Sequence, residues 1–291
     1  MKNQIKLGIP KGSLQEATIK LFGKAGFNII VNERSYKPLV DDDEISCLLI
    51  KAKEIPKYVE KGVLDIGISG EDCILETKSE VEEIEELLYS KQRFKKVKLV
   101  LAVSKDSNIK SLKDLQGKRI ATEFVNITRD YLEKNNVNAE VEFSWGATEV
   151  KVPALVDAIS ELTETGASLE ANNLKIIDTI LESTTKLIAN KSSMQDSWKK
   201  QKINQISTLL KAALDAEGKV GLKMNIEKKN LDKLVKIIPA LKNPTISDLT
   251  NKDWVAVETI INEEIVREII PKLKEVGASG IVEFPLNKII H

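Results

Sequence analysis

Histidine is nearly missing from this chain: there is one in 291 residues, and it is the last, His291. With no internal imidazole, a Ser-His-Asp triad, a Cys-His dyad and a histidine-based zinc site are all excluded. Any chemistry must rest on positioning and charge. Cysteine is almost as scarce. Cys47 and Cys73 stand far apart with no C-x-x-C spacing, which points to a reduced, buried pair rather than a disulfide or metal cluster. Aromatic residues make up only 4%, so the core falls to Ile, Leu, Val and Ala. Net charge is lacking too, with 44 Lys+Arg against 44 Asp+Glu, so no general basic field invites a nucleic acid. No apolar run approaches the ~20 residues of a membrane-spanning helix. The amino-terminal Met1-Lys2-Asn3-Gln4-Ile5-Lys6 carries no secretory hydrophobic region. The expected setting is the cytoplasm, with neither nucleic acid nor membrane as partner.

What the chain does have is hydrophobic content of 42%, enough for two globular domains or three small ones. The first part alternates strand and helix: a strand over residues 5–9, a helix over 14–25, a strand over 45–50, a helix near 55–61 and a buried strand over 63–68. This order predicts a mostly parallel sheet covered by helices. Ligands bind such sheets at the carboxyl ends of the strands, where residues 10–13 and 69–72 fall. A second α/β unit starts near residue 95, with strands over 97–103, 119–121, 139–143 and 175–181 and a helix over 127–134. Residues 109–121 resemble periplasmic-binding-protein-like domains. Residues 194–217 read as one amphipathic helix, either a connector or an oligomer interface. After Gly218 the pattern is β-α-β-β-α-β, the ferredoxin-like order.

The most informative stretch covers residues 149–174, EVKVPALVDAISELTETGASLEANNL. Leu155, Ala158, Ile159 and Leu162 repeat with helical spacing, and a hydroxyl-rich turn follows, Thr163-Glu164-Thr165-Gly166-Ala167-Ser168. Backbone N–H groups at a helix start, hydroxyl donors and a glycine make an anion cradle. Asp157 and Glu161, one helical turn upstream, suit the hydroxyls of a sugar carrying that phosphate; a ribose 5-phosphate fits these parts. A plain helix junction, with Gly166 ending one helix and Ser168 capping the next, is the competing reading.

With these pieces placed, the chain resembles the long-form ATP phosphoribosyltransferase family, the first enzyme of histidine biosynthesis, over nearly its whole length. The resemblance rests on Gly8-Ile9-Pro10-Lys11-Gly12-Ser13-Leu14, on residues 64–72, on Ile120-Ala121-Thr122-Glu123-Phe124, on residues 149–174 and on residues 181–190. Pro244-Thr245-Ile246-Ser247, residues 253–258 and Gly277-Ala278-Ser279-Gly280-Ile281 extend it. It implies an α/β fold: a two-lobed periplasmic-binding-protein-like catalytic core plus a carboxyl-terminal ferredoxin-like regulatory domain. The expected boundaries are residues 1–94 and 184–215 for lobe I with a connecting helix, 95–183 for lobe II, and 218–291 for the regulatory domain.

The implied reaction moves phosphoribosyl from phosphoribosyl pyrophosphate (PRPP) to N1 of the adenine of ATP, with Mg²⁺ as cofactor and pyrophosphate released. Glu161, Asp157 and Lys11 are then the expected catalytic residues. Thr163, Thr165, Gly166, Ala167, Ser168 and Lys51 would bind PRPP; Gly12, Ser13, Gly70, Glu71 and Asp72 would face ATP. For Lys11 and Lys51 the alternative is a solvated surface lysine, and for Asp72 a helix cap. Many relatives carry Arg at positions 13 and 51, and a lysine cannot reproduce a bidentate fork. Glu164 replaces the Ser common in the family and is expected to point to solvent. Asn225, Leu241, Thr245, Ile260 and Gly280 match the site for L-histidine as feedback inhibitor, although Asn225 replaces an acidic residue of some relatives. The carboxyl-terminal domain could instead serve only oligomerisation. A dimer-based homohexamer with no separate regulatory subunit is implied, and metal ligands are not assigned. The competing function is a cytosolic two-lobed small-molecule binding or sensor protein without catalysis.

Overall fold

The computed structural model describes residues 3–32, 35–89, 96–239 and 243–291. The chain divides into two compact units, Met1–Lys211 and Ala212–His291. The first unit begins with β1 (Ile5–Lys11), α1 (Gln15–Ala25), the two-residue strands β2 (Ile29–Ile30) and β3 (Leu39–Val40), and β4 (Ile45–Lys51). Next come α2 (Ile55–Glu60), β5 (Ile66–Gly70), α3 (Glu71–Thr77) and β6 (Glu82–Leu87). The chain then crosses to β7 (Val97–Ser104), β8 (Arg119–Thr122), α4 (Val125–Lys134), β9 (Glu140–Phe143), β10 (Ala158–Thr163), α5 (Ala167–Ala171) and β11 (Leu174–Ser183). It returns as β12 (Thr185–Ala189) and continues into α6 (Ser197–Asp215).

These strands form two five-stranded sheets, one per lobe. Lobe I has the order β4-β1-β5-β12-β6 and lobe II the order β11-β7-β10-β8-β9. In lobe I, β4, β1, β5 and β6 share one direction, and β12, between β5 and β6, opposes them. In lobe II, β10, β8 and β9 run parallel and β7 opposes them. The two-lobed, periplasmic-binding-protein-like α/β architecture follows from this double crossing. Central strands such as β5, buried at every residue, read in sequence as continuous apolar runs.

Three elements depart from the sequence reading. Of the apolar repeat at Leu155, Ala158, Ile159 and Leu162, the last three belong to strand β10, not to a helix, and Leu155 lies exposed in the turn before it. The strand lies between β7 and β8, and Ala158, Ile159 and Ser160 are fully buried. A strand buried on both faces loses its period-two alternation, so a helical spacing arises by accident. β6, Glu-Glu-Ile-Glu-Glu-Leu, is too acidic to read as a strand; it is an edge, where charge blocks further pairing. β12 is the return strand, and nothing local marks it as one.

In the second unit, β13 (Lys219–Glu227), α7 (Leu231–Ile237), β14 (Thr245–Asp248), β15 (Trp254–Asn262), α8 (Val266–Glu275) and β16 (Ser279–Pro285) make the ferredoxin-like arrangement. Its sheet is antiparallel with order β14-β15-β13-β16. Alternate residues Val220, Leu222, Met224 and Ile226 pack beneath Leu234 of α7 and Ile269 and Leu273 of α8. Full burial of such a side chain contributes about 1.5–3 kcal/mol, enough to fix which face is inside. Among the described residues no helix is long and apolar enough to cross a membrane. Cys47 and Cys73 are both free and buried, as expected from their spacing.

Candidate active site

The carboxyl ends of β4, β1 and β5 form one edge of lobe I. Lys11 and Lys51 are register partners there, so the two candidate cations stand side by side. Both are exposed, and the Lys11 ammonium lies 4.1 Å from the centroid of the Tyr36 ring. β5 runs directly into α3. Gly70 is the N-cap residue and makes no side-chain cap bond, so Asp72 sits in the first turn and is not the cap. The Asp72 carboxylate is buried, accepting from Ser183 Oγ at 2.5 Å and from Cys73 Sγ at 3.3 Å. A Cβ on Gly70 would stand 2.2 Å from Asp72 Oδ1, so only glycine leaves room for this carboxylate. Burial, with Asp72 beside it, pushes the Cys73 thiol well above its ordinary pKa. Cys73 is therefore packing, not a nucleophile.

In lobe II the carboxyl ends of β10, β8 and β9 make the facing edge. Thr163 ends β10, and Gly166 takes a left-handed φ of 80° as the N-cap residue of α5. The turn is braced by its own hydroxyls: Gly166 N–H donates to Thr163 Oγ1 at 2.8 Å and Ala167 N–H to Thr165 Oγ1 at 3.3 Å. Ser168 Oγ donates to Glu149 Oε1 at 2.5 Å. Since a strand precedes the turn, the helix-junction alternative is set aside: Gly166 ends no helix, and Ser168 lies inside α5's first turn.

Glu161, on β10, is half-buried. Burial pushes its carboxyl above the ordinary glutamate range, hydrogen bonds from the Thr148 hydroxyl and the Leu162 N–H oppose that, and Glu149 and Glu123 add to it. Asp157 is not with it. Because β10 is extended, four residues separate them by about 13 Å rather than one helical turn. Asp157 Oδ2 accepts the Arg119 N–H at 2.9 Å and Oδ1 pairs with Lys118 at 3.6 Å. It lines a different cavity, with Ser104, Ser107 and Lys118.

Between the two edges lies a cavity of about 330 Å³. Of the residues expected from sequence, Ser13, Gly70, Asp72 and Thr163 line it; Lys11, Gly12, Lys51, Glu71, Glu161, Thr165, Gly166, Ala167 and Ser168 do not. Glu164 does line it and is half-buried, contrary to the expectation that it faces solvent. Sequence reasoning missed Lys53, Phe124 and the crossing residues Ser183, Thr184 and Thr185, all in the wall. Lys53 lies in the turn Ala52–Glu54, two residues beyond Lys51. It forms an ion pair across the lobes with Glu123, and its ammonium stands 4.1 Å from the Phe124 ring centroid. A lysine one turn beyond a strand end was the available signal.

In the second unit, Asn225, Thr245, Ile260 and Gly280 come one from each of the four strands. By strand alternation Asn225, Thr245 and Ile260 fall on the face opposite the helices. A Cβ on Gly280 would meet Asn225 Nδ2 at 3.6 Å. Ile260 is four positions along β15 from Ala256, the partner of Asn225, so one chain does not gather all four. Leu241 lies outside the described residues.

The sequence model described as ATP phosphoribosyltransferase matches residues 51–212, and the model for the HisG carboxyl-terminal domain matches residues 216–288. The chain belongs to the ATP phosphoribosyltransferase family. An ATP phosphoribosyltransferase of Thermodesulfovibrio yellowstonii is 58% identical over 100% of both chains. One of Chlorobium phaeobacteroides is 56% identical over 100% of this chain and 99% of that one. Among solved structures, the ATP phosphoribosyl transferase (HisG:HisZ) complex from Thermotoga maritima is similar with 29% identity and a TM-score of 0.61. That match covers 72% of this chain and 99% of the other. Membership in the ATP phosphoribosyltransferase family makes the chain a phosphoribosyl-transferring enzyme of histidine biosynthesis.

Proposed function

We propose that the cavity between the lobes joins PRPP to ATP: a bond forms from adenine N1 to ribose C1, the bond from C1 to the pyrophosphate oxygen breaks, and pyrophosphate leaves. The observation that carries this reading is one cavity with walls from two unlike strand edges, Lys53 on one and Thr163 and Glu164, at the start of the hydroxyl-rich turn, on the other. Adenine N1 is a neutral nucleophile, so no strong base starts the attack, which suits a chain with no internal histidine. The barrier lies in separating a cationic sugar from an anionic leaving group, and fixed charges lower it.

In this reading Thr163, Thr165, Gly166, Ala167 and Ser168 hold the 5-phosphate. Glu161 takes the ribose hydroxyls and favours the oxocarbenium-like sugar. Asp157 supports the far end of β10 rather than the sugar. Lys11, Lys51 and Lys53 oppose the pyrophosphate charge, and Gly12, Ser13, Gly70, Glu71 and Asp72 border the nucleotide. Among the described residues no three His, Cys, Asp or Glu side chains gather into a metal cage. Mg²⁺ needs only one or two carboxylates when substrate phosphates complete its shell, so the donors present fit it, and Glu164 in the cavity wall would be the protein ligand. When bound, the ion would neutralise leaving-group charge.

The fused second unit, with its own family match, supports feedback control by L-histidine inside one chain and no separate regulatory subunit. A dimer-based homohexamer in the cytoplasm completes the proposal. The test is to mix the protein with ATP, PRPP and Mg²⁺ and follow the N1-alkylated adenine by near-ultraviolet absorbance. Nucleotide binding without turnover would favour a sensor instead. Adding L-histidine to the same assay is expected to inhibit; full activity at millimolar histidine rejects the regulatory assignment.

A further inference from the structure

α4 starts without a cap of its own. Phe124, at its N-cap position, makes no side-chain cap bond, and no Asp or Glu lies in its first turn. The leading N–H groups of a helix need partners, and two of them are met from the other lobe. Glu76, near the end of α3, accepts Asn126 N–H on one carboxylate oxygen and Ile127 N–H on the other, both at 3.1 Å. The Asn126 side chain answers by donating to the Glu76 carbonyl at 2.8 Å. Just past α3, Lys78 pairs at 2.9 Å with Asp130, one turn further along α4. The opposite end of α3 carries Asp72 and Cys73 of the cavity wall, and α4 follows directly on Phe124 of the same wall.

We propose that Glu76 is a positioning residue that docks lobe II onto lobe I and so holds the arrangement in which both lobes line one cavity. The inference rests on the reaction assigned above, in which donor and nucleotide meet across the lobes. A helix capped from the other lobe is capped only while the lobes are docked, so the cap biases the docking equilibrium. Ligands that need both lobes then bind in proportion to the docked fraction.

In Glu76→Ala, KM for ATP and KM for PRPP are expected to rise together by up to about tenfold, equal to ~1.4 kcal/mol, with kcat less affected. Glu76→Gln keeps one acceptor oxygen and is expected to fall between Ala and the parent. Spin labels at Lys20→Cys on α1 and Glu142→Cys on β9, exposed positions in different lobes, read the interlobe distance directly. The native cysteines are buried and leave those labels as the reporters. The expected result is a narrow distance distribution in the parent and a broadened one in Glu76→Ala. An effect confined to the stability of α4 would lower Tm and leave the distances alone. An unchanged distribution overturns the assignment, as does a broadened one with both KM values within twofold of the parent's. If the parent transfers no phosphoribosyl, the reading of the reaction fails, while the distances still decide the role of Glu76.

Discussion

Lobe I brings lysines to the cavity and its rim: Lys11 and Lys51 at adjoining strand ends and Lys53 in the turn behind them. Lobe II brings hydroxyls and carboxylates: Thr163, Thr165 and Ser168 in the turn, with Glu123, Glu149, Glu161 and Glu164 around them. Glu71 of lobe I runs against this pattern, and two further exceptions are already occupied. Asp72 of lobe I is occupied by Ser183 and Cys73, and Lys151 of lobe II by Ser144. The two halves differ in cost as well as sign. Lys11 and Lys51 are exposed and well hydrated, whereas Glu161 is half-buried and pays for it with a raised pKa. The difference suits the division of labour proposed above, in which one lobe would answer the anion that leaves and the other the sugar that becomes positive.

The strongest way to break this comparison is to remove the cation of lobe I that sits in the cavity wall. Lys53→Met is expected to lower kcat/KM by about 10²-fold, the scale of losing one preorganised electrostatic partner. Steady-state kinetics with both substrates check it; near-parental values would move the leaving-group site away from Lys53. Gly166→Val sharpens the other side, where shape rather than charge is at issue. A β-branched residue at φ of 80° strains the turn by about 1–2 kcal/mol, so KM for PRPP is expected to rise roughly tenfold while circular dichroism stays parental. Unchanged kinetics would mean that the 5-phosphate lies elsewhere.

The smallest effect concerns stability. The folded-state pKa of Glu161 lies above its ordinary value, so between those two values the native state holds more protons than the unfolded chain. Stability therefore falls as pH rises through that window. Glu161→Gln is expected to raise Tm at neutral pH by about 2 °C at most, with the gap closing as pH drops into the ordinary carboxylate range. Thermal scans across that range test it, and a lower Tm for the variant at neutral pH would reject the account.

How much of this was legible in the sequence depended on whether the signal was local. β1 and β5 declared themselves as short apolar runs closed by turn signals, and the ferredoxin-like alternation at Val220, Leu222, Met224 and Ile226 did so because one-sided burial writes a period into the chain. β10 misled, since double-sided burial erased that period. Its misreading set Asp157 one helical turn from Glu161, whereas the extended backbone holds the two about 13 Å apart. The turn at residues 163–168 was recognisable by composition, yet Glu164 was misdirected, because which way a side chain leaves a turn depends on the facing lobe. Lys53 and Phe124 were missed for the same reason: their significance appears only when the two sheets meet.

Ser183 ends a strand of lobe II and Thr185 begins one of lobe I, so the chain changes sheets within the cavity wall itself. The Glu71 N–H donates to the Thr184 carbonyl at 2.9 Å, and the Ser183 hydroxyl holds Asp72. A fulcrum inside the jaws has a short lever arm. For any rotation of one lobe on the other, the floor near Ser183 and Asp72 keeps its dimensions, while the outer rims, Lys11 and Lys51 on one side and residues 163–168 on the other, sweep the greater arc.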